Sequence, residues 1–158
     1  MKKRVVVTGL GVIHSLGTDV TTFWNAIKEG KNGIKTITKF DTTDFSTKVG
    51  AQIDNFDVVA YIDKKEAKRM DLFTQYAIAA SQEAVSMSGL DFSRMDPYRS
   101  GVIIGSGVGG METLENNCRT LFEKGPKKVS PFFVPMMIAN MASGQVAIKY
   151  GLKGYNAC

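Results

Sequence analysis

The sequence predicts a layered α/β fold in which strand and helix patterns alternate along one structural unit. Short β-branched runs end at glycines, and the longer stretches between them repeat apolar residues every three or four positions. The 158 residues are 44% hydrophobic and 22% charged, which is typical of a single globular domain. No run of 18 apolar residues occurs, so the sequence predicts no membrane span.

The N-terminal part begins with a predicted strand. Residues 4–8 (RVVVT) are β-branched and Gly9 ends the run, which favours a short buried strand. A helix is predicted next, because large apolar residues recur on one face and Gly30 follows the last of them. These apolar residues are Val20, Phe23, Trp24 and Ile27. Residues 31–60 are turn-rich and predict loops and hairpin-like pieces, with a short strand at 48–53.

The clearest helical pattern follows this turn-rich region. Asp63 is a good N-cap residue, and Glu66 three positions later completes a near capping box. Apolar residues then recur every three or four positions as far as Met87, and Gly89 ends the pattern. The sequence therefore predicts one helix over 63–89.

The second half of the chain repeats the alternation. A turn at 96–97 (Asp-Pro) precedes a predicted strand at 102–104. A helix is predicted over 111–122, where the following Gly-Pro pair stops it. A last helix is predicted from Pro135 to Gly151.

The loop 105–110 (GSGVGG) has the spacing G-x-G-x-x-G, the fingerprint of a dinucleotide-binding turn. That fingerprint also needs an acidic residue on a second strand about 20 residues later, to hold the ribose. Here the downstream segment is a predicted helix, and Glu123 lies at its end. Five glycines in the ten residues 101–110 exceed the need of one tight turn, so the loop is predicted to adjoin a site whose ligand it does not identify.

Charge and composition restrict the classes of partner and cofactor. The net charge of +5 and the pI near 9.2 favour an acidic partner, either an acidic protein or a phosphorylated ligand. Nucleic acid is disfavoured because no basic tract with interleaved aromatic residues occurs. Two cysteines without metal spacing and a single histidine argue against a zinc site. The glycines of the TGLG turn interrupt the N-terminal apolar run too early for a signal peptide, so a cytoplasmic protein is expected.

Several motifs, in order along the whole chain, resemble one family. They are RVVVTGLG (4–11), KEAKRMD (65–71), GSGVGG (105–110), SPFFVP (130–135), NM (140–141) and YGLKG (150–154). Together they closely resemble the β-ketoacyl-acyl-carrier-protein synthases, the condensing enzymes of bacterial type II fatty-acid synthesis. One departure is Tyr155, which stands where the family usually has proline.

The resemblance implies a thiolase-like fold, layered α/β/α/β/α and built of two similar halves. Residues 1–158 are then expected to form most of the first half, ending just before the nucleophile motif and incomplete without the second half. The nucleophilic cysteine is expected about five residues beyond Cys158, in a T-A-C motif. Two histidines and a lysine of the second half would complete the active site, so no catalytic residue and no cofactor are assigned to these residues.

The implied activity is elongation of a fatty acyl chain by decarboxylative Claisen condensation of an acyl thioester with malonyl-carrier protein. The 158 residues alone are expected to be inactive. The sequence leaves two alternatives open. One is a non-catalytic partner subunit resembling a chain-length factor, which would carry Gln in place of the cysteine. The other is a nucleotide-binding oxidoreductase, which the incomplete fingerprint disfavours.

The resemblance also gives roles to particular residues. Lys65, Lys68 and Arg69 share one side of the predicted helix, and by themselves they indicate only a solvated basic face. In the family this helix docks the acidic acyl carrier protein. Gly107 and Val108 are expected to border the channel that receives the acyl chain.

Phe133 belongs to an apolar cluster, 132–141, that is expected to serve both the core and a homodimer interface near the acyl pocket. It is therefore predicted to contact substrate. No metal-binding residue is predicted.

Overall fold

The computed structural model describes residues 3–158 of this chain. Six α-helices and four short strands occur there, connected by loops and single 3₁₀ turns. The helices are α1 (Val20–Lys28), α2 (Lys64–Ala67), α3 (Leu72–Ser88), α4 (Met111–Lys124), α5 (Phe133–Met137) and α6 (Met141–Tyr150). The strands are β1 (Ile34–Thr36), β2 (Val49–Ala51), β3 (Val102–Ile103) and β4 (Asn156–Ala157). Within the described residues, no helix is both long and apolar enough to cross a lipid bilayer.

The strands form two small sheets. β1 and β2 pair antiparallel, with Ile34 opposite Ala51, and this confirms the hairpin predicted in the turn-rich region. β3 and β4 pair in parallel, with Val102 opposite Asn156. The strand β4 was not predicted, because its sequence carries no alternating or β-branched pattern of its own.

The predicted strand at residues 4–8 is wrong in this structure. These residues have no regular secondary structure, and the side chains of Val5 and Val7 are 94% and 80% exposed. A strand forms only where a neighbouring strand completes its hydrogen bonds. Neither of the two sheets described within residues 3–158 includes this segment, so its β-branched composition alone does not make it a strand.

The predicted helix at Val20 is confirmed as α1. Asp19 caps it, since its Oδ1 accepts a hydrogen bond from the Thr22 amide at 2.8 Å, and Gly30 follows its end with φ +66°. The apolar face of this helix is only partly buried. Trp24 and Ile27 are 57% and 45% exposed.

The single helix predicted over 63–89 is wrong in one respect: it is broken in the middle. Asp63 caps α2 and Gly89 caps α3, as predicted, but the chain leaves the helix at Lys68 and re-enters it after Asp71. The buried side chain of Gln75 supplies hydrogen bonds to the backbone on both sides of the break. Its Nε2 donates to the carbonyl oxygens of Ala67 (3.0 Å) and Met70 (2.9 Å).

The helix predicted from Pro135 to Gly151 is also two helices, α5 and α6. In a continuous helix the Met141 amide would donate to the Met137 carbonyl. Instead that carbonyl accepts a hydrogen bond from the Gly110 amide at 2.8 Å, and Met141 donates to Ile138 at 3.1 Å. A contact from a distant loop therefore interrupts an otherwise helical apolar pattern.

The core lies where α6 packs against α3 on one side and against the β3–β4 pair on the other. Its buried residues are Ile62, Ala67, Ile78 and Val146. Val102, Ile104 and Tyr150 pack against them from the strand and the end of α6. Residues beside the α2–α3 break, such as Ala67, therefore share one core with Val102 of β3, the strand that leads into the glycine loop.

Tyr150 provides a test of this core. Burial raises the pKa of its phenol, its ring centroid lies 5.1 Å from that of Phe92, and its buried hydroxyl has no hydrogen-bond partner within residues 3–158. The phenol of the unfolded chain, with a pKa of about 10, therefore loses its proton at a lower pH than the phenol of the folded protein. The free energy of unfolding is unaffected by this difference below pH 10, and it falls as the pH rises from there through the folded-state pKa.

We expect Tyr150→Phe to leave the free energy of unfolding of the intact protein at pH 7 unchanged or slightly higher, since removing a lone buried hydroxyl leaves no donor or acceptor unpaired. The variant should also lose less stability than the wild type above pH 10. Urea unfolding across this pH range measures both effects, and Tyr98→Phe, at a 70% exposed residue, is the matched control. A loss of more than about 1 kcal/mol at pH 7 would contradict the prediction, because it would reveal a hydrogen bond to the hydroxyl.

Candidate functional site

The glycine loop between β3 and α4 packs closely against the chain at two of its glycines. Gly109 has φ +83°, and a Cβ there would lie 2.3 Å from the Met137 carbonyl oxygen. A Cβ on Gly110 would lie 2.6 Å from the Met136 carbonyl oxygen. Gly105 and Gly107 have open space instead, since a Cβ on either would meet no atom of a non-adjacent residue within 4 Å. Two of the loop's glycines thus allow close packing against the end of α5, and the predicted ligand site beside the loop stays a prediction.

One carboxylate, that of Asp71, connects this loop to the break between α2 and α3. Its Oδ2 accepts two hydrogen bonds from Thr113 in the first turn of α4, from the amide at 3.0 Å and from the hydroxyl at 2.6 Å. Its Oδ1 accepts from the Phe73 amide at 3.4 Å, in the first turn of α3. Asp71 is only 8% exposed. Two helix N-termini, each with a positive partial charge, thus share one buried carboxylate.

This carboxylate also bears on the dinucleotide interpretation of the loop. The strand, the glycines and the start of α4 follow one another as in a dinucleotide motif, whose phosphate is held by amides at the helix N-terminus. Here the Thr113 amide donates to Asp71, and the Gly110 amide donates to Met137. The carboxylate occupies the position that a phosphate would need, which supports the sequence argument against a nucleotide.

Gly107 and Val108 lie at the exposed part of the loop. The Val108 side chain is 65% exposed, and Gly107 is exposed as well. Neither is required by the close packing at Gly109 and Gly110. The two residues are therefore free to face a ligand, and their contact with an acyl chain stays a prediction.

Lys65, Lys68 and Arg69, which we call the basic patch, are all solvent-exposed. The sequence predicted that these residues share one side of a helix. In the structure they do not, because α2 ends at Ala67. Lys65 lies in α2, Lys68 is its C-cap residue, and Arg69 follows in the break. The patch therefore surrounds a helix end whose conformation the buried Gln75 and Asp71 hold.

Two clefts begin at residues of the basic patch, one at Arg69 and one at Lys68. Arg69 and Phe132 line a cleft of about 640 Å³, and the Arg69 Cζ lies 4.7 Å from the centre of the Phe132 ring, within cation–π range. Met70, Ile148 and Lys149 also border this cleft. A smaller cleft of about 280 Å³ is lined by Lys68, Asp71, Glu112 and Met136, among others.

Phe133 begins α5, next to the first cleft. It is half-buried, whereas its neighbours Phe132 and Val134 are 39% and 55% exposed. The segment is thus part core and part surface, which is compatible with the mixed role predicted for it. Its contact with substrate or with a second copy stays a prediction.

Sequence reasoning missed Asp71, Gln75 and Thr113 as residues that organise the site. One signal was present, since an Asp before a run of apolar residues is a typical N-cap. The capping box at Asp63 masked it, because the apolar period continues through both helices. The bond from Asp71 to Thr113 spans 42 residues, and no local pattern indicates it.

The described residues contain no group of three or more His, Cys, Asp or Glu side chains that could hold a metal ion. Cys118 is half-buried, and Cys158 is exposed.

Comparison with known proteins matches this chain to a family. Residues 2–158 match the family model described as "Beta-ketoacyl synthase, N-terminal domain". The 3-oxoacyl-[acyl-carrier-protein] synthase 2 of Staphylococcus aureus (strain COL) is 52% identical over 154 residues, which are 98% of this chain and 37% of that protein. The chain thus spans little more than a third of this relative.

Solved structures give the same answer for the fold. The chain matches a type II PKS ketosynthase, bound to the hexaketide and in complex with its acyl-carrier protein, with a TM-score of 0.82 and 27% identity. The ishigamide ketosynthase/chain length factor matches with a TM-score of 0.85 and 25% identity. These matches cover 99% and 96% of this chain, and 41% and 38% of the other chains. The predicted thiolase-like α/β fold class is confirmed.

The packing of the glycine loop generates a stability prediction. We expect Gly110→Ala to lower the free energy of unfolding of the intact protein by about 1–3 kcal/mol, because the added methyl group would overlap the Met136 carbonyl oxygen and the Asp71 carboxylate. Gly105→Ala is the matched control and should change it by less than about 0.5 kcal/mol. Urea denaturation measures both values. Equal effects at the two positions would show that the loop packs differently.

Proposed function

We propose that this protein elongates acyl chains, because the chain belongs to the β-ketoacyl synthase family and matches its N-terminal domain. The intact protein condenses an acyl thioester with malonyl-carrier protein and releases carbon dioxide. The single observation that carries the proposal for these residues is the exposed basic patch. One cleft runs from Arg69 to Phe132 and Pro135 at the start of α5, and a second runs from Lys68 to the first turn of α4, which follows the glycine loop. A surface suited to an acidic carrier protein thus lies near the segments expected to receive its acyl cargo.

The proposed reaction has two chemical steps. In the first, a cysteine thiolate attacks the acyl thioester, an acyl–sulfur bond forms, and the carrier thiol leaves. In the second, malonyl-carrier protein loses carbon dioxide, and the resulting carbanion attacks the acyl carbonyl carbon and expels the cysteine. The cysteine is expected about five residues beyond Cys158, with two histidines and a lysine in the second half. The residues described here bind and orient the two thioesters.

Charge supports an acidic acyl carrier protein as the partner of the basic patch. Four cations, Lys64, Lys65, Lys68 and Arg69, occur within residues 63–69, against two carboxylates. The exposed positions of the basic patch suit an encounter surface, where charge mainly accelerates association. One solved relative, 27% identical, is a ketosynthase in complex with its acyl-carrier protein.

The acyl chain is proposed to enter beside Gly107 and Val108 and to contact Phe133. Val108 is the one large apolar side chain of the loop 105–110, and it is exposed in this structure. Phe133 and its neighbours present apolar surface of the kind that a second subunit covers. We therefore also propose a homodimer that works in the cytoplasm.

Reversing the charge of the basic patch tests the proposed docking surface. We expect Lys65→Glu, Lys68→Glu and Arg69→Glu together to raise the KM for acyl-carrier protein by roughly tenfold or more at low salt, since each loses attraction and adds repulsion. The effect should shrink as salt rises, because exposed charges are screened. Steady-state kinetics at two ionic strengths provides the measurement.

The controls for this experiment separate docking from chemistry. Lys28→Glu reverses an exposed cation at the end of α1, outside both clefts, and should leave the KM unchanged. An acyl-pantetheine thioester, which lacks the carrier protein, should be used equally well by the triple variant and the wild type. An unchanged KM for the carrier at low salt would overturn the docking proposal.

A larger side chain in the glycine loop tests the proposed acyl channel. We expect Val108→Phe in the intact protein to reduce the rate of transfer of long acyl chains several-fold more than that of short ones, because the added volume narrows the channel. Val108→Ala is the size control and should not reduce transfer of long chains. Single-turnover acylation across a series of chain lengths gives the ratio. Equal loss at all lengths would indicate a folding defect and argue against a gate.

A further inference from the structure

We infer that Asp71 is a positioning residue that fixes the basic patch and the glycine loop relative to each other. The inference rests on the proposed function, since it gives one buried carboxylate control over both the docking of the carrier and the selection of the acyl chain. It assigns a role to a residue that contacts neither the carrier nor the acyl chain in the proposal.

On the docking side, Asp71 holds the turn that carries the patch. It follows Arg69 by two residues, and its own carbonyl oxygen accepts from the amides of Thr74 (3.1 Å) and Gln75 (3.2 Å) to start α3. Gln75 in turn binds the carbonyl oxygens of Ala67 and Met70, on either side of Lys68 and Arg69. The orientation of these two cations therefore depends on how α3 begins.

On the loop side, Asp71 caps a helix that has no cap of its own. The N-cap position of α4 is Gly110, which has no side chain to accept a hydrogen bond, and the carboxylate of Asp71 supplies the missing acceptor at Thr113. A Cβ on Gly110 would lie 2.8 Å from the Asp71 Oδ2. Because Gly109 and Gly110 directly follow Val108, the start of α4 sets where Val108 stands.

A carboxylate fits this position better than an amide. Three donors converge on Asp71, namely the Phe73 amide, the Thr113 amide and the Thr113 hydroxyl. An ionised carboxylate accepts at both oxygens, whereas an asparagine must turn its NH₂ donor toward one of the two helix starts. The negative charge is also favoured by both helix N-termini. Asp71→Asn therefore removes the hydrogen bonds to one of the two helix starts, with almost no change in side-chain volume.

The experiment measures three properties of the intact protein for Asp71→Asn, Thr113→Val and Thr113→Ser. They are the KM for acyl-carrier protein, the ratio of long- to short-chain acylation from carrier-free pantetheine thioesters, and the amide hydrogen exchange of residues 64–70 and 106–113. Thr113→Val removes only the hydroxyl donor and keeps the amide, while Thr113→Ser restores that donor and serves as the rescue.

Asp71→Asn and Thr113→Val should each raise the carrier KM by about fivefold and shift the chain-length ratio by about threefold, for roughly one lost hydrogen bond to a charged acceptor. Both segments should exchange faster. Thr113→Ser should stay within about twofold of the wild type in all three properties. The basic-patch variant is expected to change only the carrier KM, and Val108→Phe only the chain-length ratio. A change of both properties in the Asp71 and Thr113 variants therefore indicates that Asp71 positions both segments.

Several results would overturn the inference. A change confined to the KM or to the ratio would show that Asp71 serves a single element. Faster amide exchange throughout the chain, with the KM and the chain-length ratio unchanged, would show that Asp71 supports the fold only. If Asp71→Asn does not fold, the Thr113 pair decides the question alone. A wild type that condenses no acyl thioester would end the proposed function, whereas exchange would still show whether Asp71 joins the two segments.

Discussion

The structure depends on one buried carboxylate that two helix N-termini share. Asp71 accepts hydrogen bonds from the first turns of α3 and α4, so it sets the relative position of two helices that begin 39 residues apart. Each helix end has amides that the helix itself cannot satisfy, and one acceptor answers both needs. The negative charge is stabilised there by two helix dipoles. The arrangement also restricts Gly110, since a Cβ there would lie 2.8 Å from the Asp71 Oδ2.

Both helix breaks involve hydrogen bonds to residues outside the local turn. The Met137 carbonyl accepts from the Gly110 amide, while the Met141 amide donates to Ile138, and the chain leaves the helix there. At the other break, the Ala67 carbonyl accepts both from the Met70 amide at 3.1 Å and from the Gln75 side chain at 3.0 Å, because a carbonyl oxygen has two lone pairs. This second break leaves the basic patch at a helix end.

The proposed binding surface combines charge with apolar shape. Arg69 lies over the ring of Phe132, so the cation that is expected to meet a carrier protein also covers the edge of the apolar cleft. The cleft beside Lys68 reaches the first turn of α4. The cleft beside the proposed docking surface thus reaches the helix that follows the glycine loop. The likeness to ketosynthases, at TM-scores of 0.82 and 0.85, places these elements on a scaffold that such enzymes share.

Sequence alone determined the family, the α/β class, the helix caps at Asp63 and Gly89, and the exposure of the basic patch. These features depend on local patterns or on ordered motifs, which a single chain displays directly. Only the tertiary structure decided that residues 4–8 are not a strand here, that both long helical patterns break, and that Asp71 meets Thr113. The reason is physical: strand pairing, shared caps and carbonyls bound from a distant loop are contacts between residues far apart in sequence, and periodicity carries no record of them.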